Sequence, residues 1–430
     1  MERLKLVNGV VADPPRRRVT RTDIAIEDGL IAEVGDSDRP ANVVDLGGRL
    51  VMPGNVCAHT HLYSSLARGM PGPSQPPRNF VEILERIWWR LDRALDEESI
   101  RYSALSGALD ALAAGTTTLI DHHASPNCID GSLDMVAAAL EDVGTRAVVC
   151  YEVTDRGGQE RRAAGLRETG RFLTENLRPL VRGMVGAHAS FTLEDDTLEA
   201  LADLARSQSS GVHIHVAEDW YDEEDSLRRF GRRAAVRLDQ FGILGPRAIA
   251  AHAVHVNDEE METLHERRTW MAHNCRSNLN NGVGRAPVFN FGDRGVMGTD
   301  GIDGDMFAES RTAYFRARED TLDADAGDFL DMLARGGRLA ADFFGYPIGM
   351  IQPGAAADLV VLDYEPPTPL DGGNLPWHWM FAFASADVRD VMVGGRWVRR
   401  NREFVAIDEE KIRREAREAA VKLWQRMEML

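Results

Sequence analysis

The chain has 430 residues, 44% of them hydrophobic and 27% charged, with a formal net charge of -18. That is the mix of a soluble globular protein, long enough for a barrel-sized domain plus a smaller one. The acidic balance argues against nucleic acid and anionic membrane surfaces as partners, and no apolar run has the length of a membrane span or the pattern of a signal peptide. Cys57, Cys128, Cys150 and Cys275 lack paired spacing, so reduced thiols and a cytoplasmic setting are expected.

From Met1-Glu2-Arg3-Leu4-Lys5 the sequence runs directly into strand-like residues. Residues 1–50 read as short strands with turns. Asn8-Gly9 and Asp28-Gly29 stand between apolar alternations, a strong hairpin signal. The same texture returns late in the chain, at Ala357–Asp363 and at Val388–Val398 around Gly394-Gly395. The two ends are therefore expected to join, residues 1–50 with 350–407, as one small composite β-sandwich. Residues 408–430 read as a terminal helix, with Ile412, Ala416, Ala419, Ala420, Leu423 and Trp424 on one face.

Between residues 51 and 349, eight strand-like runs alternate with helical patterns. The runs start at Val51, Thr116, Arg146, Val181, Gly211, Ala248, Thr269 and Gly295. Helices are expected over Ser99–Ala114, Leu133–Val143, Thr192–Ser207, Asp222–Phe241 and Asp258–Arg267. Alternating β and α units predict a parallel sheet, and eight of them predict a (β/α)8 TIM-like barrel inserted into the β-domain, an α/β fold. In such a barrel the active site lies at the C-terminal ends of the strands.

Ionisable residues gather at those ends. The first run ends in His59 and His61, the second in Asp121-His122-His123, the fourth in His188. The fifth carries His213 and His215 with Glu218 just after; the sixth ends in His252 near His255, the seventh in His273-Asn274, the eighth in Asp300. Ten of the twelve histidines stand there, leaving His265 and His378 elsewhere; His123 and His255 are the two read as purely structural. Imidazoles two apart on a strand share a face, so His59 with His61 and His213 with His215 can each converge on one ion. Imidazoles with one carboxylate suit a divalent metal, Zn²⁺ by default and Fe²⁺ or Mn²⁺ by chemistry, which acidifies a bound water. A nearby carboxylate such as Glu218 can take that water's proton and pass it to a leaving group. His252 is placed to hydrogen-bond the water or the substrate. For a substrate pocket the candidates are His122, His188, Glu82, Trp88 or Trp89, and Asn278. Asp303 and Asp305 read as helix caps.

Pro53-Gly54 through His59-Thr60-His61, His215-Val216-Ala217-Glu218, Ala251-His252 and Gly298-Thr299-Asp300-Gly301 together resemble the amidohydrolase superfamily, in its mononuclear deaminase and chlorohydrolase branch. The resemblance spans essentially the whole chain. It implies one metal held by His59, His61, His215 and Asp300, with Glu218 as proton shuttle and His252 orienting water or substrate. It picks His215 over His213, a choice strand geometry leaves open. The only lysines are Lys5, Lys411 and Lys422, so no mid-chain lysine exists to be carbamylated between two metals, which agrees with the mononuclear branch. Asn79-Phe80-Val81-Glu82-Ile83-Leu84, Trp88-Trp89-Arg90-Leu91-Asp92, Asp121–Asn127 and Ser277–Asn281 are similar to the aminohydrolase SsnA group, with departures at Cys57 and Cys275. The function implied is hydrolytic deamination of a purine- or pyrimidine-related heterocycle, by a homodimer or larger homo-oligomer. The alternatives are ring opening of a cyclic amide or imide at the same metal, and, remotely, a noncatalytic metal-binding protein.

Overall fold

In the computed structural model, residues 3–36 and 39–430 are described; Met1, Glu2, Ser37 and Asp38, which fall in the expected N-terminal strand segment, lie outside them. The N-terminal stretch forms β1 (Leu4–Asp13), β2 (Arg18–Glu27), β3 (Leu30–Val34), β4 (Asn42–Asp45) and β5 (Leu50–Pro53). Then follow β6 (Asn55–Thr60), β7 (Thr116–His123), β8 (Arg146–Val153), β9 (Val181–Gly183) and β10 (Val185–Ala189). The barrel continues with β11 (Val212–Val216), β12 (Ile249–His252), β13 (Trp270–His273) and β14 (Gly295–Met297). The chain ends with β15 (Leu359–Leu362), β16 (Val388–Val393), β17 (Arg396–Arg400) and β18 (Glu403–Phe404).

Strands β6, β7, β8, β10, β11, β12, β13 and β14 pair in parallel, in that order, as the eight staves of a (β/α)8 barrel; the short β9 adds to β8. Every residue of β6, β7 and β8 is buried, as expected when helices cover the outer face of a parallel sheet. The ring closes where Thr60, at the end of β6, bridges Asp300 just beyond β14. The two chain ends build one nine-stranded, mostly antiparallel sheet, joined by the antiparallel pairing of β5 with β15.

Three local details differ from the sequence expectation. The run beginning at Val51 is two strands, because Gly54 turns the chain out of the end sheet and into the barrel. A Cβ on Gly54 would lie 2.1 Å from the Thr117 hydroxyl, so only glycine lets β5 and β6 meet there. The fourth run is likewise split at Met184 into β9 and β10. The single helix expected over 222–241 is two, Trp220–Phe230 and Ala234–Gln240, broken at Gly231 in the left-handed conformation (φ 70°).

The segment after β6 forms a lid of three short helical pieces, Phe80–Ile83, a π-helical Leu84–Trp88 and Trp89–Ala94. Asn79 caps it by accepting from the Glu82 amide at 2.9 Å. The C-terminal helix, Glu409–Glu428, braces this lid: Arg90 donates to the Met427 carbonyl (2.6 Å) and Arg426 to the Ala94 carbonyl (2.7 Å). No helix among the described residues is long and apolar enough to cross a membrane.

Candidate metal centre and active site

The turns after the barrel strands are strained in one way. Ala217, His252, Ala253 and Asp300 all adopt positive φ, between 48° and 73°, which is unfavourable for residues with a Cβ. Each lies where the chain must reverse at a strand end to aim a side chain into the barrel mouth. The Ala217 turn is stitched on both sides: its amide donates to Asp222 (2.8 Å) and its carbonyl accepts from the amides of Val254 and His255. Asp222 also accepts from the Phe191 amide (3.1 Å), and burial pushes its pKa up to about 7.

Hydrogen-bond accounting fixes which nitrogen of each histidine is free. His61 Nδ1 donates to the His122 carbonyl (2.6 Å) and His215 Nδ1 to the His188 carbonyl (2.8 Å). Both Nε2 atoms are then bare acceptors, yet they lie 3.1 Å apart. His59 is oriented by His213, whose Nε2 lies 2.8 Å from His59 Nδ1. His213 Nδ1 reaches the Cys150 sulfur at 3.8 Å, and that thiol donates to the Asp121 carbonyl. This relay leaves His59 Nε2 as a lone pair, buried and unpartnered. Asp300 Oδ2 accepts from the Ser277 hydroxyl, while Oδ1 faces His61 Nε2 at 3.1 Å and His59 Nε2 at 3.6 Å.

Three imidazole nitrogens and a carboxylate oxygen thus converge. The donor set suits a divalent metal. Burial drives the His59 pKa down to about 3. Burial opposes charge on His61 as well, but the Asp300 carboxylate prevails and raises its pKa to about 9. Asp300, though buried, is held well below the usual carboxylate range by the His59 and His61 imidazoles that face it.

His252 and Glu218 flank this cluster. His252 Nδ1 donates to Asn278 Oδ1 (2.9 Å), so its buried Nε2 is an acceptor, 3.5 Å from Glu218 and 3.9 Å from Asp300. Glu218 is held by Asn281, which donates to it at 3.3 Å. Burial and the neighbouring Asp300 raise the Glu218 pKa well above its ordinary value. A carboxyl in that state can carry a proton at neutral pH, as a shuttle must.

The floor of a cavity of about 320 Å³ is formed by His61, His215, Glu218 and Asp300. Phe80, Leu84, Trp88 and Trp89 of the lid supply its apolar wall, and Glu152 and His188 a polar one. Of the expected pocket residues, His188 and Trp88 line the cavity. Three do not. Glu82 is taken up by ion pairs with Arg78 and with Arg86 (3.0 Å). His122 is wholly buried beneath the floor, donating to the Ala187 carbonyl (3.0 Å). Asn278 is buried behind His252. Asp305 caps the helix Met306–Arg318 as expected, and Asp303 pairs with Arg276 (2.8 Å). His123 and His255 hold the Ser125 hydroxyl and the Val283 carbonyl, away from the floor.

Glu152 was not among the expected site residues, and Ser277 and Asn281 stood only in the Ser277–Asn281 motif, without a role in the site. Glu152 lies next to the C-terminal end of β8, the strand that begins at Arg146. Its strand-end position was the available signal, since the other ionisable residues were found by that rule.

The family model for the Amidohydrolase family matches residues 50–398. The chain belongs to the amidohydrolase family. A 5'-deoxyadenosine deaminase of Methanothermobacter thermautotrophicus is 31% identical over 94% of this chain and 95% of its own length. A 5-methylthioadenosine/S-adenosylhomocysteine deaminase of Syntrophomonas wolfei is 30% identical over 93% and 94%. Among solved structures, a zinc-bound adenosine deaminase of Xanthomonas campestris superposes with a TM-score of 0.87, at 26% identity and 99% coverage of both chains. The family's overall architecture is therefore shared from end to end.

Proposed function

We propose that this amidohydrolase removes an amino group hydrolytically from a purine- or pyrimidine-type heterocycle. The observation that carries this is the placement of Glu218 and His252 beside a cluster of cation-seeking acceptors at the floor of a ring-sized cavity. His59, His61, His215 and Asp300 are the residues that would hold the metal, which we take as Zn²⁺, with Fe²⁺ and Mn²⁺ chemically compatible. When bound, such a cation supplies Lewis acidity and an acidified water.

The chain's own residues do the rest. His252 Nε2, an acceptor, orients the attacking water. Glu218 takes its proton and delivers it to the departing nitrogen, which leaves as ammonia. Trp88, Trp89, Phe80 and Leu84 pack against the ring and exclude bulk water, and His188 faces it from the polar wall. The two curated relatives named above are deaminases of adenosine derivatives, which supports a purine nucleoside as substrate. The SsnA-like reading draws support from what its motif residues do. Asn79 caps the lid, Trp88 lines the cavity, and Ser277 and Asn278 hold Asp300 and His252. Four unpaired cysteines support a reducing, cytoplasmic setting. An exposed aromatic cluster of Phe315, Trp377 and Phe381 supports self-association, which light scattering would register.

The test is ammonia release from a panel of aminopurines and aminopyrimidines by metal-loaded protein. Glu218→Gln is expected to lower kcat by about 10²- to 10⁴-fold at unchanged metal content. Undiminished turnover in that variant removes Glu218 from the proton path, and absence of ammonia from the whole panel removes the deaminase reading.

A further inference from the structure

The polar wall of the cavity repeats the logic of its floor with different atoms. Thr192 donates its hydroxyl hydrogen to the Ala189 carbonyl (3.0 Å), so at His188 Nδ1, 2.7 Å away, its oxygen must accept. His188 therefore carries its hydrogen on Nδ1 and offers Nε2 as a lone pair. That lone pair lies 4.0 Å from Glu152 Oε1. Glu152 Oε1 accepts from Arg156 at 2.8 Å, and Oε2 faces His122 Nδ1 at 3.4 Å. A carboxylate oxygen takes two donors, so Oε1 keeps one position open. Both side chains are more than nine-tenths buried and both line the cavity. Among the described residues, no protein group donates to His188 Nε2. A buried imidazole lone pair without a donor thus stands beside a carboxylate oxygen with one of its two positions open.

A buried polar group without a partner is costly, so such a pair is expected to be met by donors from what enters the cavity. We infer that Glu152 Oε1 and His188 Nε2 form an acceptor pair that reads a donor edge of the substrate ring. A spacing of 4.0 Å lets one edge bearing an amino group, or adjacent N–H groups, reach both atoms at ordinary hydrogen-bond lengths. The substrate class is narrowed accordingly. The ring carries at least one N–H or amino donor besides the amino group that leaves, which among purine nucleosides favours a 2-amino-substituted ring over adenosine itself. Rings with only lone pairs along that edge are rejected, because they leave His188 Nε2 without a donor and set their own lone pairs against Glu152. An anionic substituent is rejected more strongly by the Glu152 charge. The identity of the ring rests on the deaminase reading; the binding preference does not.

The experiment measures binding apart from turnover. In the metal-loaded Glu218→Gln background, titration calorimetry compares 2,6-diamino-9-methylpurine with 9-methyladenine, and cytosine with 1-methylcytosine. The donor-bearing member of at least one pair is expected to bind about 10- to 100-fold tighter, the range of a hydrogen bond to a charged acceptor. Adding Glu152→Gln should shrink that preference to about 3-fold or less, while the affinity of the donor-poor member changes little. His188→Phe should do the same from the other side of the pair, and carries the test if Glu152→Gln does not fold. Equal weakening of both members, or a preference that survives both substitutions, overturns the proposal, as does the absence of any preference in the parent. Ammonia release with an unaltered preference would leave the deaminase reading standing without the acceptor pair. A preference that responds as expected without ammonia release from any ring would do the reverse.

Discussion

Asn278 illustrates how a side chain that never meets the cavity can govern what happens in it. It accepts from His252 Nδ1 and so decides that Nε2 is the lone pair facing Glu218. Asn278→Ala is expected to lower kcat about 10- to 100-fold with KM little changed, and Asn278→Asp, which keeps the acceptor, to restore most of it. A loss confined to KM would instead make Asn278 part of the substrate wall. The residues at the floor were legible in the sequence because strand ends reach the barrel mouth directly, and His59, His61, His215, Glu218, His252 and Asp300 all stand there. What period-2 alternation could not supply was depth. His213 and His215 share a face, but one backs His59 and the other opens on the cavity; His122 and His188 both end strands, but only His188 reaches the surface of the pocket. Glu82 was drawn into the pocket by its place in the lid, and its arginine neighbours at four residues on either side were the overlooked clue.

At the scale of elements, the eight-stave barrel was legible from the alternation of runs. Its breaks were not, because they depend on contacts distant in sequence. Gly54 is needed for Thr117, sixty-odd residues away, and Met184 interrupts a run whose two halves both pair with β8. The break at Gly231 brings together Glu223 and Glu260, which accept from the amides of Ala234 and Ala235 and share Arg233. Burial, then the charge of Glu260, raise the Glu223 pKa well above its ordinary value near 4.5. In the window between those two values the folded chain keeps a proton that the unfolded chain has released. Stability is therefore present at acid pH and declines as pH rises towards the folded value. Glu223→Gln should flatten that slope and make the variant more stable than its parent at pH 9. Urea unfolding at pH 5, 7 and 9 would measure it, and a parent whose stability climbs over that range would show the assignment to be wrong.

Across the whole molecule, the end sheet and the barrel are tied by one buried ion pair. Arg146, at the start of β8, holds Asp358 beside β15 through two hydrogen bonds of 2.6 and 3.0 Å, and Asp358 also accepts from the Gly394 amide. The joining of the two chain ends was legible from their shared hairpin texture. This tie was not, since neither residue is marked by its neighbours. Binding of a cation to the floor should stabilise the folded chain by mass action, by about 2.7 kcal/mol when free metal stands a hundredfold above its Kd. Dialysis against a chelator is expected to lower Tm, and re-addition of Zn²⁺ to restore it; a Tm indifferent to both would deny the floor its metal.

The closure of the barrel gives that experiment a direction. The last stave meets the first through the Thr60–Asp300 bridge, with the amides of Thr299 and Asp300 both donating to the His59 carbonyl. The clasp of the ring and the proposed fourth ligand are one residue, and His59 and His61 lie on either side of it. A cation at the floor would fasten the wall lengthwise along a single line, like a pin through a hinge. Heat should part the barrel first along that line in the metal-free chain, and amide exchange would find it at Thr60, Thr299 and Asp300 before anywhere else in the ring.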